Sequence, residues 1–135
     1  MKRLKYILSL ILLSMSIQGY CQQMYDHSGY LIGRYDSGKI YDRSGSYEGK
    51  IDSGRFYDRS GSYIGYECVG KFYDRSGSYI GYTKDGKFYD RSGSYIGYIN
   101  DDKVYNRSGS LMGRVNRVPN LVTAIVYFYG YYQLR

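Results

Sequence analysis

Apolar positions recur along this chain every sixteen residues, and the tyrosine that opens each copy falls at Tyr25, Tyr41, Tyr57, Tyr73, Tyr89 and Tyr105 without a slip. A fixed short period marks a repeat architecture, in which each unit hides its apolar face only against its neighbours. Within a copy, short runs rich in Tyr, Ile and Phe alternate with polar clusters that contain Gly. The runs are roughly four to six residues long, which predicts strands and leaves no room for helices.

Two turns punctuate each copy. In Asp74-Arg75-Ser76-Gly77 the Asp accepts from the turn backbone and the Gly supplies positive φ, the pattern of a type I turn with a bulge at a hairpin tip. The same structural role falls to Asp42 and Gly45, Asp58 and Gly61, and Asp90 and Gly93. The second turn, Asp85-Gly86, has the two-residue type I′ signature, and Ser37-Gly38, Ser53-Gly54 and Val69-Gly70 occupy the same place. Asp101-Asp102 lacks the Gly, although Asp tolerates the left-handed conformation.

Side chains alternate across a strand, so of the apolar residue and the Tyr that follows it only one faces inward. Ile40, Phe56, Phe72, Phe88 and Val104 are expected in the core, with the adjoining tyrosines partly covered. In the other strand Gly33, Gly49, Gly65, Gly81, Gly97 and Gly113 never vary. Gly weakens a strand, so its retention points to close packing, where strands crowd an axis or fold over an aromatic ring. Ile32, Ile64, Ile80, Ile96 and Met112 precede that Gly and are expected between hairpins; Glu48 marks one exposed or atypical unit.

The pattern stops after Arg114, and residues 22–118 form the expected repeat domain. Pro119 then breaks the chain before an apolar and aromatic segment, 119–135, expected to pack on the repeats. Its β-branched and aromatic residues predict a strand lying on or plugging the array, with a buried helix as the alternative. It is too short to span a bilayer. Strands of this length also fall short of the roughly 9 to 11 residues of a transmembrane β-strand, so the repeat domain is expected to be water-soluble.

Residues 1–21 have a secretory layout: basic Lys2, Arg3 and Lys5, an apolar stretch from Ile7 to Ile17, then a polar patch. Cleavage is expected before Gln22; lipidation of Cys21 is the less favoured alternative, since Tyr20 stands where a small residue belongs. The mature chain is thus expected in the periplasm, at the cell surface or outside the cell, with no membrane span. Three of the 19 basic residues leave with the leader, which lowers the net charge from +7 to +4. Nearly every Arg has an Asp beside it, a mixed surface that argues against a nucleic-acid partner. Cys68 is then a single exposed thiol, and no disulfide framework forms.

Tandem hairpins reading Tyr-Asp-x-Ser-Gly, then apolar-Gly, then a Gly-Lys or Gly-Arg turn, behind a leader, resemble the bacterial β-flower repeat proteins, known in four-fold and five-fold forms. The resemblance covers residues 24 to about 115. It implies an all-β ring of hairpins set like petals about a central axis, and it implies no activity. With six hairpin tips and five intervening turns, the five-fold form is favoured here, terminal strands helping to close the ring. Open aromatic-Gly solenoids that bind cell walls are the competing likeness; those lean on Trp, which this chain lacks.

Catalytic chemistry has little material. The one histidine, His27, replaces the Arg of later copies at an exposed turn, with no second His beside it. The repeated Asp26, Asp42, Asp58, Asp74 and Asp90, with Asn106, suggest a calcium ring, but turn capping explains them and the adjacent Arg opposes a cation. Neither a metal, a cofactor nor a catalytic residue is therefore expected. Tyr66, Tyr82 and Tyr98 recur at one position that holds Arg34, Lys50 and Arg114 in the outer copies, which marks it as solvent-facing. Three such rings form a candidate stacking strip for a cell-envelope glycan or protein. The expected function is an exported, non-enzymatic structural or interaction module, with glycan binding through surface tyrosines as the alternative.

Overall fold

The computed structural model describes residues 22–134. The expected leader, its cut and the Cys21 alternative lie outside the described residues. Each repeat folds as a four-residue and a six-residue strand: β1 (Gln23–Asp26), β2 (Leu31–Asp36), β3 (Lys39–Asp42), β4 (Tyr47–Asp52), β5 (Arg55–Asp58), β6 (Tyr63–Cys68), β7 (Lys71–Asp74), β8 (Tyr79–Lys84), β9 (Lys87–Asp90), β10 (Tyr95–Asn100), β11 (Lys103–Asn106) and β12 (Leu111–Asn116). Neighbours pair antiparallel, and β1 meets β12, so the sheet closes into a barrel with no free edge.

At each tip the register slips by one residue, as between Ile40 and Tyr41 where β3 meets β4. The Asp side chain holds the tip together. Asp74 Oδ1 accepts from the Ser76 N–H at 2.9 Å, the Ser76 hydroxyl at 2.7 Å and the Ser78 N–H at 2.9 Å. Gly77 closes it with φ +86°, a conformation other residues adopt only with strain.

Five two-residue turns join successive hairpins, and the terminal strands make the last joint, as expected of a ring closed by its ends. That joint copies a turn without a peptide bond. Arg117 (φ 57°) and Gln22 (φ 75°) take the left-handed conformations of Ser37 (φ 50°) and Gly38 (φ 89°). The Tyr35 N–H donates to Gln22 O at 2.8 Å, just as the Ile51 N–H donates to Gly38 O at 2.7 Å, and the Gln22 N–H reaches Asn116 O at 2.6 Å.

One residue from each short strand points into the barrel: Met24, Ile40, Phe56, Phe72, Phe88 and Val104, all buried. The adjoining tyrosines lie outside and half-buried, in agreement with the expected division. Glu48, the exception among the isoleucines, is half-buried and pairs with Arg59 at 3.7 Å.

The strand expected after Pro119 is corrected: residues Asn120–Tyr127 form a helix, α1. Val122, Thr123, Ala124 and Ile125 are buried in succession, which covers every face of a helix, and Val122, Ala124 and Ile125 join the cluster of inward ring residues. The helix therefore occupies the lumen. A closed barrel offers no strand edge to pair with, whereas a helix satisfies its own backbone groups in a dry interior. That requirement outweighs a β-branched residue's helix penalty, which stays under about 0.7 kcal/mol per residue. Thr123, the buried polar residue among these, sends its hydroxyl back to Pro119 O at 3.1 Å.

Candidate functional site

From Tyr127, the last residue of α1, the chain turns at Gly130 and circles the barrel mouth, laying one large side chain against the strand glycine of each hairpin. Tyr127 meets Gly113, Phe128 meets Gly97, Tyr129 meets Gly81, Tyr131 meets Gly65, Tyr132 meets Gly49 and Leu134 meets Gly33. The order runs backward around the ring without omission. Each glycine also pairs across strands with a core residue, Phe56 with Gly65 for example, so every socket has an open floor and an apolar wall. Ring contacts follow from that pairing: Tyr131 meets Phe56 edge-on at 4.8 Å between centroids, Tyr129 lies 4.4 Å from Phe72, and Phe128 stacks on Phe88 at 4.7 Å.

Glycine is required in the socket for space. A Cβ on Gly65 would stand 2.5 Å from both the Tyr131 ring and the carbonyl oxygen of Tyr73, closer than atoms pack. That carbonyl has a second use. It accepts the Tyr131 hydroxyl at 2.7 Å, as Tyr57 O accepts from Tyr132 at 2.7 Å, Tyr89 O from Tyr129 at 3.0 Å and Tyr25 O from Tyr127 at 2.6 Å. Burial pushes all four hydroxyls far above the usual tyrosine range, so each keeps the proton it donates. Sequence reasoning named the glycines and missed their partners; the available signal was six large residues between Tyr127 and Leu134 for six invariant glycines.

The outer wall carries a second ring of contacts. Tyr66 stacks on Tyr73 at 4.6 Å, Tyr82 on Tyr89 at 4.6 Å and Tyr98 on Tyr105 at 4.7 Å. In the other three hairpin junctions a cation covers the same tyrosine: Arg34 over Tyr41 at 5.0 Å, Lys50 over Tyr57 at 5.2 Å and Arg114 over Tyr25 at 4.5 Å. Because β1 adjoins β12, the three cationic pairs are consecutive, and so are the three Tyr pairs. The wall thus has an aromatic arc and a cationic arc. Tyr66, Tyr82 and Tyr98 stand in equivalent places along the aromatic arc, one hairpin apart, each with one face already against its neighbour.

Between β5 and β6 the arc opens into a groove of about 450 Å³ lined by Arg55, Tyr57, Tyr63 and Tyr66. Desolvation first, and then the neighbouring Tyr66, Tyr82 or Tyr98, raises the hydroxyl pKa of Tyr63, Tyr79 and Tyr95. At the tips, the Ser hydroxyl and then the backbone N–H groups hold Asp42, Asp58, Asp74 and Asp90 below the ordinary carboxylate range. Those carboxylates face their own turns. His27 sits exposed at the first tip, and Cys68 is an exposed free thiol. Among the described residues no three His, Cys, Asp or Glu side chains gather as metal ligands, and no helix is long and apolar enough to cross a membrane.

A closed ring of β-hairpins about an axis, each built on one tip turn and one socket glycine, defines a β-flower repeat module. A family model described as 5-fold beta-flower protein matches residues 21–132, and the chain belongs to that family. In this member five covalent joints are completed by the β1–β12 pairing. No curated protein and no solved structure matches the chain.

Proposed function

We propose that the chain is an exported, non-enzymatic interaction module, with the β-ring as rigid support and the aromatic arc as its contacting surface. The carrying observation is the run of three Tyr stacks on consecutive hairpins, Tyr66 on Tyr73, Tyr82 on Tyr89 and Tyr98 on Tyr105. These rings are not needed to fill the barrel, because Phe56, Phe72, Phe88 and the helix already do so. Large aromatic surface held at regular steps outside a filled core fits recognition better than packing. Export rests on the basic-apolar-polar layout of residues 1–21. The non-enzymatic reading rests on His27 having no second histidine beside it and on the carboxylates of Asp42, Asp58, Asp74 and Asp90, which are bonded to their own turns.

The groove beside Tyr66 favours a glycan as the ligand. Tyrosine faces stack on sugar rings, and the Arg55 guanidinium supplies donors for hydroxyl groups. The register repeats this set as Lys71, Tyr73, Tyr79 and Tyr82, and again as Lys87, Tyr89, Tyr95 and Tyr98. A polymer of repeating sugars would meet equivalent sites in series. Retention on insoluble polysaccharides, compared between the natural protein and the triple variant Tyr66→Ala, Tyr82→Ala, Tyr98→Ala, tests this reading. Retention that disappears in a still-folded triple variant supports it; retention that survives moves the glycan site elsewhere. If no polysaccharide holds the protein but the arc captures an envelope protein, the ligand is a protein. Capture of neither kind through these tyrosines overturns the arc as contacting surface.

A further inference from the structure

The repeats are close to identical, so the places where they depart from one another carry information. In the first hairpin His27 replaces Arg, Tyr30 replaces Ser and Leu31 replaces Tyr, and in the last hairpin Met112 replaces Ile. All four line one cavity of about 790 Å³ at the barrel mouth. Its floor is the tail, including Tyr127, Phe128 and Leu134. Leu134 fills the one socket of six that holds no aromatic ring. The volume lies within the ~300 to 1,000 Å³ of small-molecule sites, and an apolar bed with a few charged groups at its edge matches their usual lining.

The charged groups are of both signs. Asp26 and Arg43 both line the cavity and make no ion pair with each other. Asp26 Oδ1 accepts from the N–H groups of Ser28 and Tyr30 at 2.9 and 3.0 Å, without the Ser hydroxyl bond found at Asp42, Asp58, Asp74 and Asp90. Its carboxylate is thereby less committed to its turn than the others. Arg43, with His27 on the same rim, offers donors to an anion. A purely anionic ligand would face Asp26, and a purely cationic one would face Arg43.

We propose that the mouth cavity binds a zwitterion with an apolar body: a free apolar or aromatic amino acid, or a short peptide of such residues. Its carboxylate pairs with Arg43, its ammonium with Asp26, and its side chains lie on the tail floor. Both pairs are charge-assisted, which makes each head group worth roughly tenfold or more in affinity.

Titration of the full purified protein with L-phenylalanine and with tri-leucine, followed by NMR or calorimetry, is the test. N-acetylphenylalanine and phenylalaninamide, which each lack one charge, serve as controls. Arg43→Gln should weaken the zwitterion at least about tenfold and leave phenylalaninamide unaffected. Asp26→Asn should do the reverse, weakening the zwitterion and sparing N-acetylphenylalanine. Its fold is safe because Asn106 occupies the same tip position in the last hairpin, accepting from Ser108 and Ser110 at 3.0 Å. Binding of phenylalanine alone identifies an amino-acid site, and binding of tri-leucine alone a peptide site. Absence of binding by both, equal binding of the blocked compounds, or indifference to both variants overturns the proposal.

Discussion

The hydroxyl of Tyr131 donates to the carbonyl oxygen of Tyr73 at 2.7 Å, although 58 residues separate them. The bond fixes the tail to a hairpin in the middle of the ring, and the Tyr131 ring fills the space a side chain at position 65 would need. Two variants separate these effects. Tyr131→Phe removes only the hydroxyl, so a loss of about 1 kcal/mol is expected from denaturant unfolding. Tyr131→Ala also empties a socket beside Phe56, raising the expected loss to about 3 kcal/mol. Equal losses would mean that the ring contributes nothing.

Gly65→Ala attacks the same contact from the strand. The new methyl group would meet both the Tyr131 ring and Tyr73 O, and the ring is the freer of the two to withdraw. The tail should lift locally before the barrel opens. Faster hydrogen exchange than in the natural protein at Tyr131 and in β7, whose Tyr73 carbonyl must shift, with β2 and β11 across the ring unchanged, is the expected record.

What the chain disclosed of itself divides along physical lines. Turns and strands were legible because Asp-x-Ser-Gly and X-Gly encode local dihedral angles, and sixteen-residue spacing repeats the statement in every copy. Gly33 and its equivalents were legible as sites of close approach, since an unvaried glycine inside a strand gives up packing and entropy that only crowding or a bend repays. What approaches them was not, because the socket pairs residues such as Tyr132 with Gly49 across a distance that no local rule spans. The helix from Asn120 was misread for a related reason. Local propensity at Val122, Thr123, Ile125 and Val126 favours a strand, and only ring closure denies that strand a partner. The mouth cavity was legible in part: His27 stood out as a departure, but its convergence with Met112 depends on β1 adjoining β12.

Val69 carries strain that no other residue offsets. It is a β-branched residue at φ 51° and 91% exposed, so the left-handed turn costs energy and returns no packing. Replacement by Asn restores the Asn-Gly pair that a type I′ turn prefers. Val69→Asn should raise stability by about 0.5 to 1 kcal/mol, read as a higher denaturant midpoint at unchanged slope. A lower midpoint would show that the Val side chain makes a contact worth keeping.

Closure of the ring depends on one residue at its start. Gln22 gives its N–H to Asn116, and its carbonyl oxygen accepts from the Tyr35 N–H, a bond that each covalent turn also makes, as from Ile51 to Gly38. A chain that begins at Gln23 loses both and frays at β1, where β1 and β12 meet without a linking turn. Compared with a chain that begins at Gln22, it should be less stable by about 1 to 2 kcal/mol. Identical unfolding curves would mean that the joint is held by the β1–β12 ladder alone.

Acid should weaken the tips in a way the protein's own last hairpin can switch off. Asp42, Asp58, Asp74 and Asp90 titrate below their ordinary value of 3.8, chiefly because a Ser hydroxyl and then backbone N–H groups bond the charged form. A folded-state pKa below the unfolded one contributes stability that is present above the unfolded value and lost as pH falls through the folded one. The loss should therefore develop below about pH 4. Asn106 makes the same three bonds, from Ser108 N–H at 3.0 Å, Ser108 hydroxyl at 2.7 Å and Ser110 N–H at 3.0 Å, with no charge to protonate. Replacing all four aspartates by Asn keeps the bonds but not their charge, so it should lower the melting temperature at pH 7 and flatten its fall between about pH 4 and 2. An acid slope as steep as before would place the titrating groups outside these four tips.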